Sequence, residues 1–120
     1  MDLENPVVKL CLEGSQAEFD GRIADARALY AQAWSAARDD YEACVAAHYA
    51  ARRRERAEDA LHWNQVALAR AEASRDERVR DFYPSLYVSL GHSHEMTGNL
   101  VEAERYYALA AALGLVHEEP

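Results

Sequence analysis

Lysine occurs once in these 120 residues, cysteine twice, proline three times and glycine five times. Each scarcity excludes something. The two cysteines, Cys11 and Cys44, lack C-x-x-C spacing, so neither a disulfide framework nor a zinc site is signalled, and a reducing compartment is expected. No apolar run approaches the roughly 20 residues of a membrane span. The stretch from Val7 to Leu12 is too short and too charged for the core of a secretory signal, and the residues before it are acidic, so the expected location is the cytoplasm. With a formal charge of −8 the chain lacks the basic footprint that phosphate backbones require, which argues against nucleic acid. It also has no G-x-S-x-G, no P-loop and no dinucleotide fingerprint, so no catalytic activity and no cofactor are expected.

What the chain does have is alanine and helical period. Half of the residues are hydrophobic, and alanine, which loses no side-chain entropy in a helix, dominates them. The length suits one domain of all-α class. Six helical segments are legible. The first starts at Asn5-Pro6 and runs to about Phe19, and the second runs from about Arg22 to Ala37, ahead of the Asp39-Asp40 break. The third spans about Tyr41 to Arg54, and the fourth about Ala57 to Ala73. The fifth opens at Tyr83-Pro84 with Asp81 as its cap and ends at Thr97-Gly98-Asn99. The sixth covers about Leu100 to Leu113, with Gly114 and Leu115 as a left-handed cap and its apolar clasp.

A short pattern recurs on alternate helices: Ala26-x3-Tyr30-x2-Ala33, Ala60-x3-Asn64-x2-Ala67 and Ala103-x3-Tyr107-x2-Ala110. Ala26 and Ala60 are 34 residues apart, whereas Ala60 and Ala103 are 43 apart. A period of roughly 34 residues is that of one class of helical repeat. The surplus falls in Ala71 to Phe82, as an extension of the fourth helix, an extra turn, or both. Small residues Gly14, Ala26, Gly91 and Ala103 are expected where helix backbones touch, with Tyr30 and Tyr107 filling the space they leave.

Tyr87-x2-Leu90-Gly91-x2-His94, Gly98, Leu100 and Ala103-x3-Tyr107-x2-Ala110 resemble the tetratricopeptide repeat family, whose unit is an antiparallel helix pair. The first copy keeps Leu10, Gly14, Gly21, Ile23, Ala26, Tyr30 and Ala33. The second keeps Ala60, Leu61, Ala67 and Leu68, but has Cys44, Ala47, His48 and Ala51 at the signature positions of its first helix. The resemblance implies an α-solenoid of three antiparallel helix pairs, a right-handed superhelix, with repeats at about 7–40, 41–74 and 84–117 and residues 75–83 as a linker or helix extension. The closing proline of the family pattern is absent from all three copies.

The resemblance further implies a non-catalytic adaptor that binds a peptide or protein segment in a concave groove lined by the first helix of each pair. Helical geometry places Val8, Cys11, Ser15 and Glu18, then Glu42, Val45, Tyr49 and Arg52, then Ser85, Val88, His92 and Glu95, along that stripe. It contains no lysine and no asparagine, so the family's clamp for chaperone C-termini is not carried over. Arg52, Arg53, Arg54 and Arg56 form a basic cluster. They either bind an anionic group, Arg52 with Arg53 or Arg56 holding it bidentately, or complement a helix C-terminus and pair with Glu55, Glu58 or Asp59. His92 and His94 lie about 200° apart on a helix and cannot chelate one ion, so no metal site is expected. The uncharged run through Tyr106, Leu109 and Leu113 offers a second reading, a homo-oligomeric module assembled through its terminal helix, for instance a homodimer. A third reading, from the enzyme class, is a metal- or thiol-dependent activity centred on His92 or Cys11.

Overall fold

Asn5 starts the first helix as its side chain suggests: Oδ1 accepts the backbone N–H of Val7 at 2.8 Å and of Val8 at 3.2 Å, with Pro6 in the first turn. The computed structural model describes residues 2–114. It contains α1 (Pro6–Phe19), α2 (Ile23–Ala36), α3 (Asp40–Ala50), α4 (Ala57–Ala73), a 3-10 helix (Glu77–Phe82), α5 (Tyr83–Met96) and α6 (Leu100–Ala112). No strand occurs among the described residues, so the fold is all-α.

Two boundaries differ from the sequence reading. Helix α3 ends at Ala50, not near Arg54, because Arg53 takes a left-handed backbone (φ 57°) and turns the chain. The surplus after the second copy is divided between α4, which at 17 residues is the longest described helix, and the 3-10 turn, capped by Asp76, whose Oδ1 accepts the N–H of Arg78 at 3.0 Å. Asp81 does not cap α5, because the 3-10 turn runs straight into that helix and Phe82, already helical, occupies the cap position. At the end of α6, Gly114 is left-handed as expected (φ 93°), while its clasp partner Leu115 lies outside the described residues, as do residues 115–117 of the third copy.

Consecutive helices pack closely as α1 on α2, α3 on α4 and α5 on α6. The outer pairs are closed by one device. A Cβ on Gly14 would collide with the ring of Tyr30, and a Cβ on Gly91 would lie 2.5 Å from Cε1 of Tyr107. Glycine is required there so that an aromatic ring can lie against the helix backbone. Between pairs the two junctions differ. Helix α3 packs on both α1 and α2, burying Val7, Val8 and Cys11 against Cys44 and Val45. Helix α5 packs on α4 and on the 3-10 turn, with no comparable contact to α3. The turn stands between them, and its Phe82 meets His48 edge to face at 5.0 Å.

Candidate functional site

Glu18, in the last turn of α1, is a buried carboxylate that accepts hydrogen bonds from three residues. It accepts the hydroxyl of Tyr30 at 2.8 Å, Nε and Nη2 of Arg52 at 3.0 and 2.9 Å, and Nε of Arg53 at 3.1 Å. Burial pushes its carboxyl pKa up, but the bonds from Arg52, Tyr30 and Arg53 outweigh that and hold it below the ordinary glutamate value. The turn that delivers the two arginines is fixed in its own right. Arg27 Nε donates to the carbonyl of Arg53 at 2.9 Å and a second nitrogen of the same guanidinium donates to that oxygen, while Arg54 Nε caps the carbonyl of Ala50 at 2.5 Å. The Arg54 guanidinium also lies 5.5 Å from the centre of the Trp63 ring.

The arginine cluster therefore has internal partners that the sequence did not suggest. Arg52 and Arg53 do grip a carboxylate bidentately, but it belongs to Glu18 of the preceding helix pair. Arg54, on the carbonyl of Ala50 at the end of α3, and Arg56, with Glu58 at 3.8 Å, follow the local reading, whereas Glu55 pairs with Arg27 at 3.6 Å instead.

Beside this knot lies an open cleft of about 570 Å³, between the end of α3, the start of α4 and the outer side of α5. Its walls include His48, Arg52, Asn64, Val88, His92 and Met96. Two irregularities create it. The 3-10 turn keeps α5 off α3, and the middle copy has His48 and Asn64 where the outer copies have glycine and a tyrosine lying on it. Asn64 is too short to cover the helix and reaches α5 instead, donating to Ser93 Oγ at 2.8 Å. Nδ1 of His48 is buried without a hydrogen-bond partner among the described residues, and burial, helped by Arg52, pushes the imidazole pKa down to about 4.

The stripe read from the sequence divides in two. Glu18, Arg52, Val88 and His92 line the cleft. Ser15 and Tyr49 are half-buried, Tyr49 packing on Tyr30 at 5.7 Å, and Ser85 and Glu95 are exposed. Val8, Cys11 and Val45 are fully buried and Glu42 nearly so, because α3 sits directly on α1; these four belong to the core and offer nothing to a ligand. Burial also pushes the Cys11 and Cys44 thiols up to about 12, so both are neutral near pH 7. Glu42 accepts Asn5 Nδ2 and the backbone N–H of Arg38, each at 2.8 Å, tying the start of α3 to the start of α1. His92 faces the cleft, whereas His94 is buried and stacks on Tyr106 at 5.5 Å. Among the described residues no group of three potential ligands could hold a metal ion, and no helix is long and apolar enough to cross a membrane. On α6, Tyr106 is half-buried, while Leu109 (36%) and Leu113 (55%) are exposed.

His48, Asn64, Ser93 and Met96 belong to the cleft but not to the sequence-derived stripe. The first two were legible as departures from the repeated pattern; the other two carried no signal. Comparisons of the chain with known families, with curated proteins and with solved structures find no match.

Proposed function

We infer that the chain is a tetratricopeptide-like stack of three helix pairs that acts as a non-catalytic adaptor, holding an extended segment of a protein partner in the cleft between α3, α4 and α5. The observation that carries this reading is the cleft itself. It forms where the repeat pattern is broken twice, and its wall mixes an apolar strip, Val88 and Met96, with side chains that keep hydrogen-bonding capacity, Asn64 and His92. Mixed walls of this kind suit peptide recognition, in which apolar contacts supply affinity and a few polar groups fix register. The identical glycine, tyrosine and glutamate arrangement in the outer pairs supports the reading of the fold as a repeat.

The test is selection of binders from a random peptide library on the purified protein, followed by challenge with Val88→Arg and Met96→Glu. Neither side chain is part of the Glu18 knot, so both variants keep the fold. Selected peptides are expected to lose at least about tenfold in affinity for each variant. Binding that ignores both substitutions places the recognition surface elsewhere and removes the proposal.

A further inference from the structure

The outer helix pairs carry one three-residue device in two states. Gly14, Glu18 and Tyr30 recur 77 residues later as Gly91, Glu95 and Tyr107. In each pair the tyrosine ring covers the glycine and its hydroxyl donates to the glutamate at 2.8 Å. The states differ in what covers them. Over the first pair lies α3, and the turn that follows it delivers Arg52 and Arg53 to the carboxylate and leaves Glu18 only 9% exposed. Glu95 is exposed, and among the described residues no cation pairs with it. The residues of α2 that α3 covers, Leu29, Tyr30 and Ala33, correspond on α6 to Tyr106 and Tyr107, which stay partly exposed, and to Ala110, which is already buried.

We propose that the Glu95–Tyr107 face is a second docking surface, separate from the cleft, and that its occupant is a partner's amphipathic helix with an arginine in the turn just after it, seated on α5 and α6 as α3 is seated on α1 and α2. The molecule itself supplies the template for this complex. A carboxylate already oriented by a phenol hydroxyl presents its remaining lone pairs to a planar guanidinium, which arginine fits and lysine does not. A second copy is the wrong occupant on charge grounds. Stacked head to tail, helix α1 of the second copy, standing in for α3, would set Glu18 where Arg52 belongs.

The probe is a fluorescein-labelled peptide of residues 40–54 of this chain, which contains α3 and the arginines of the turn after it, titrated into the full protein in reducing buffer. Saturable binding is expected, with amide shift changes centred on Glu95, Tyr106 and Tyr107. Glu95→Lys should weaken it at least about tenfold, the same peptide carrying Arg52→Glu should bind wild type poorly, and the two changes together should restore affinity. Because Glu95 is exposed, the variant keeps its fold, which an unchanged thermal melt verifies. No saturable binding, binding indifferent to Glu95→Lys, or shifts centred on Glu18 overturns the proposal. So does light scattering that shows a wild-type dimer dissociated by Glu95→Lys, since the occupant is then a second copy.

Discussion

Arg52 reaches back 34 residues to hold both oxygens of Glu18, at 3.0 and 2.9 Å, and so fastens the second helix pair to the first. The carboxylate is buried and the guanidinium about half exposed, so removing the acceptor costs more than removing the donor. Glu18→Leu strands the Tyr30 hydroxyl and two arginines and is expected to cost about 3 kcal/mol, whereas Arg52→Ala, with Arg53 still in place, costs about 1 kcal/mol. Urea unfolding of the two variants measures the difference. Equal losses would mean that the knot is not the fastening.

The two glycines under tyrosine rings should not respond alike. Tyr30 is fully buried and has nowhere to move, while Tyr107 is partly exposed and can swing outward. Gly14→Ala is therefore expected to cost about 2 to 3 kcal/mol through overpacking, and Gly91→Ala about 1 kcal/mol or less. Thermal melts rank them, and the reverse order would contradict the packing.

Stability should fall with acid in two stages. The His48 pKa is depressed in the folded state from 6.5 to about 4, so the unfolded chain binds the proton first. The neutral imidazole's contribution is complete above pH 6.5 and is lost as pH drops toward 4. Glu18 and Glu42 are also depressed: burial raises each, but the hydrogen bonds they accept outweigh it. Their contribution is present above the ordinary glutamate value of 4.5 and disappears below it. Denaturation midpoints measured from pH 8 to 3 should show both stages. Replacing His48 with Leu should flatten the upper one and Glu18→Gln reduce the lower.

The cleft can be closed by restoring the pattern. Asn64→Tyr alone drives a ring against His48, and His48→Gly alone leaves a void. Together they recreate the arrangement of Gly14 and Tyr30. The double-mutant cycle is expected to show a favourable coupling of about 2 kcal/mol, and peptides selected on the wild type should no longer bind. A coupling near zero would mean that His48 and Asn64 do not occupy the space of the missing ring.

Local signals carried most of the fold. Asn5-Pro6, Gly21, Gly98 and the alanine spacing marked helix ends and faces to within a residue or two, because capping and amphipathic period are written in neighbouring residues. The misplaced end of α3 has a tertiary cause. Arg53 adopts a left-handed backbone that nothing local demands, held by Arg27, which lies 26 residues away. The cleft was half legible. Asn64 and the spacing of 43 announced the irregularity, but the burial of Cys11 and Val45 depended on how closely α3 settles on α1, which periodicity alone does not specify. The repeated glutamate was visible in the text of the chain at Glu18 and Glu95, each 12 residues before a pattern tyrosine, and passed unread because glutamate on a helix usually means solvent.

The 3-10 turn Glu77–Phe82 has one further implication. It is a spacer rather than a lining, touching α5 on one side and His48 on the other, so the number of residues in it governs how far α5 stands from α3. Insertion or deletion in the exposed part of this segment, away from the buried Val79, would widen or narrow the aperture while every α-helix kept its sequence. Loops tolerate such changes in length far better than helix faces tolerate substitution. The width of the cleft is thus adjustable apart from the helix faces that line it, free to drift toward a thicker or thinner occupant as long as Val79 keeps its place in the core.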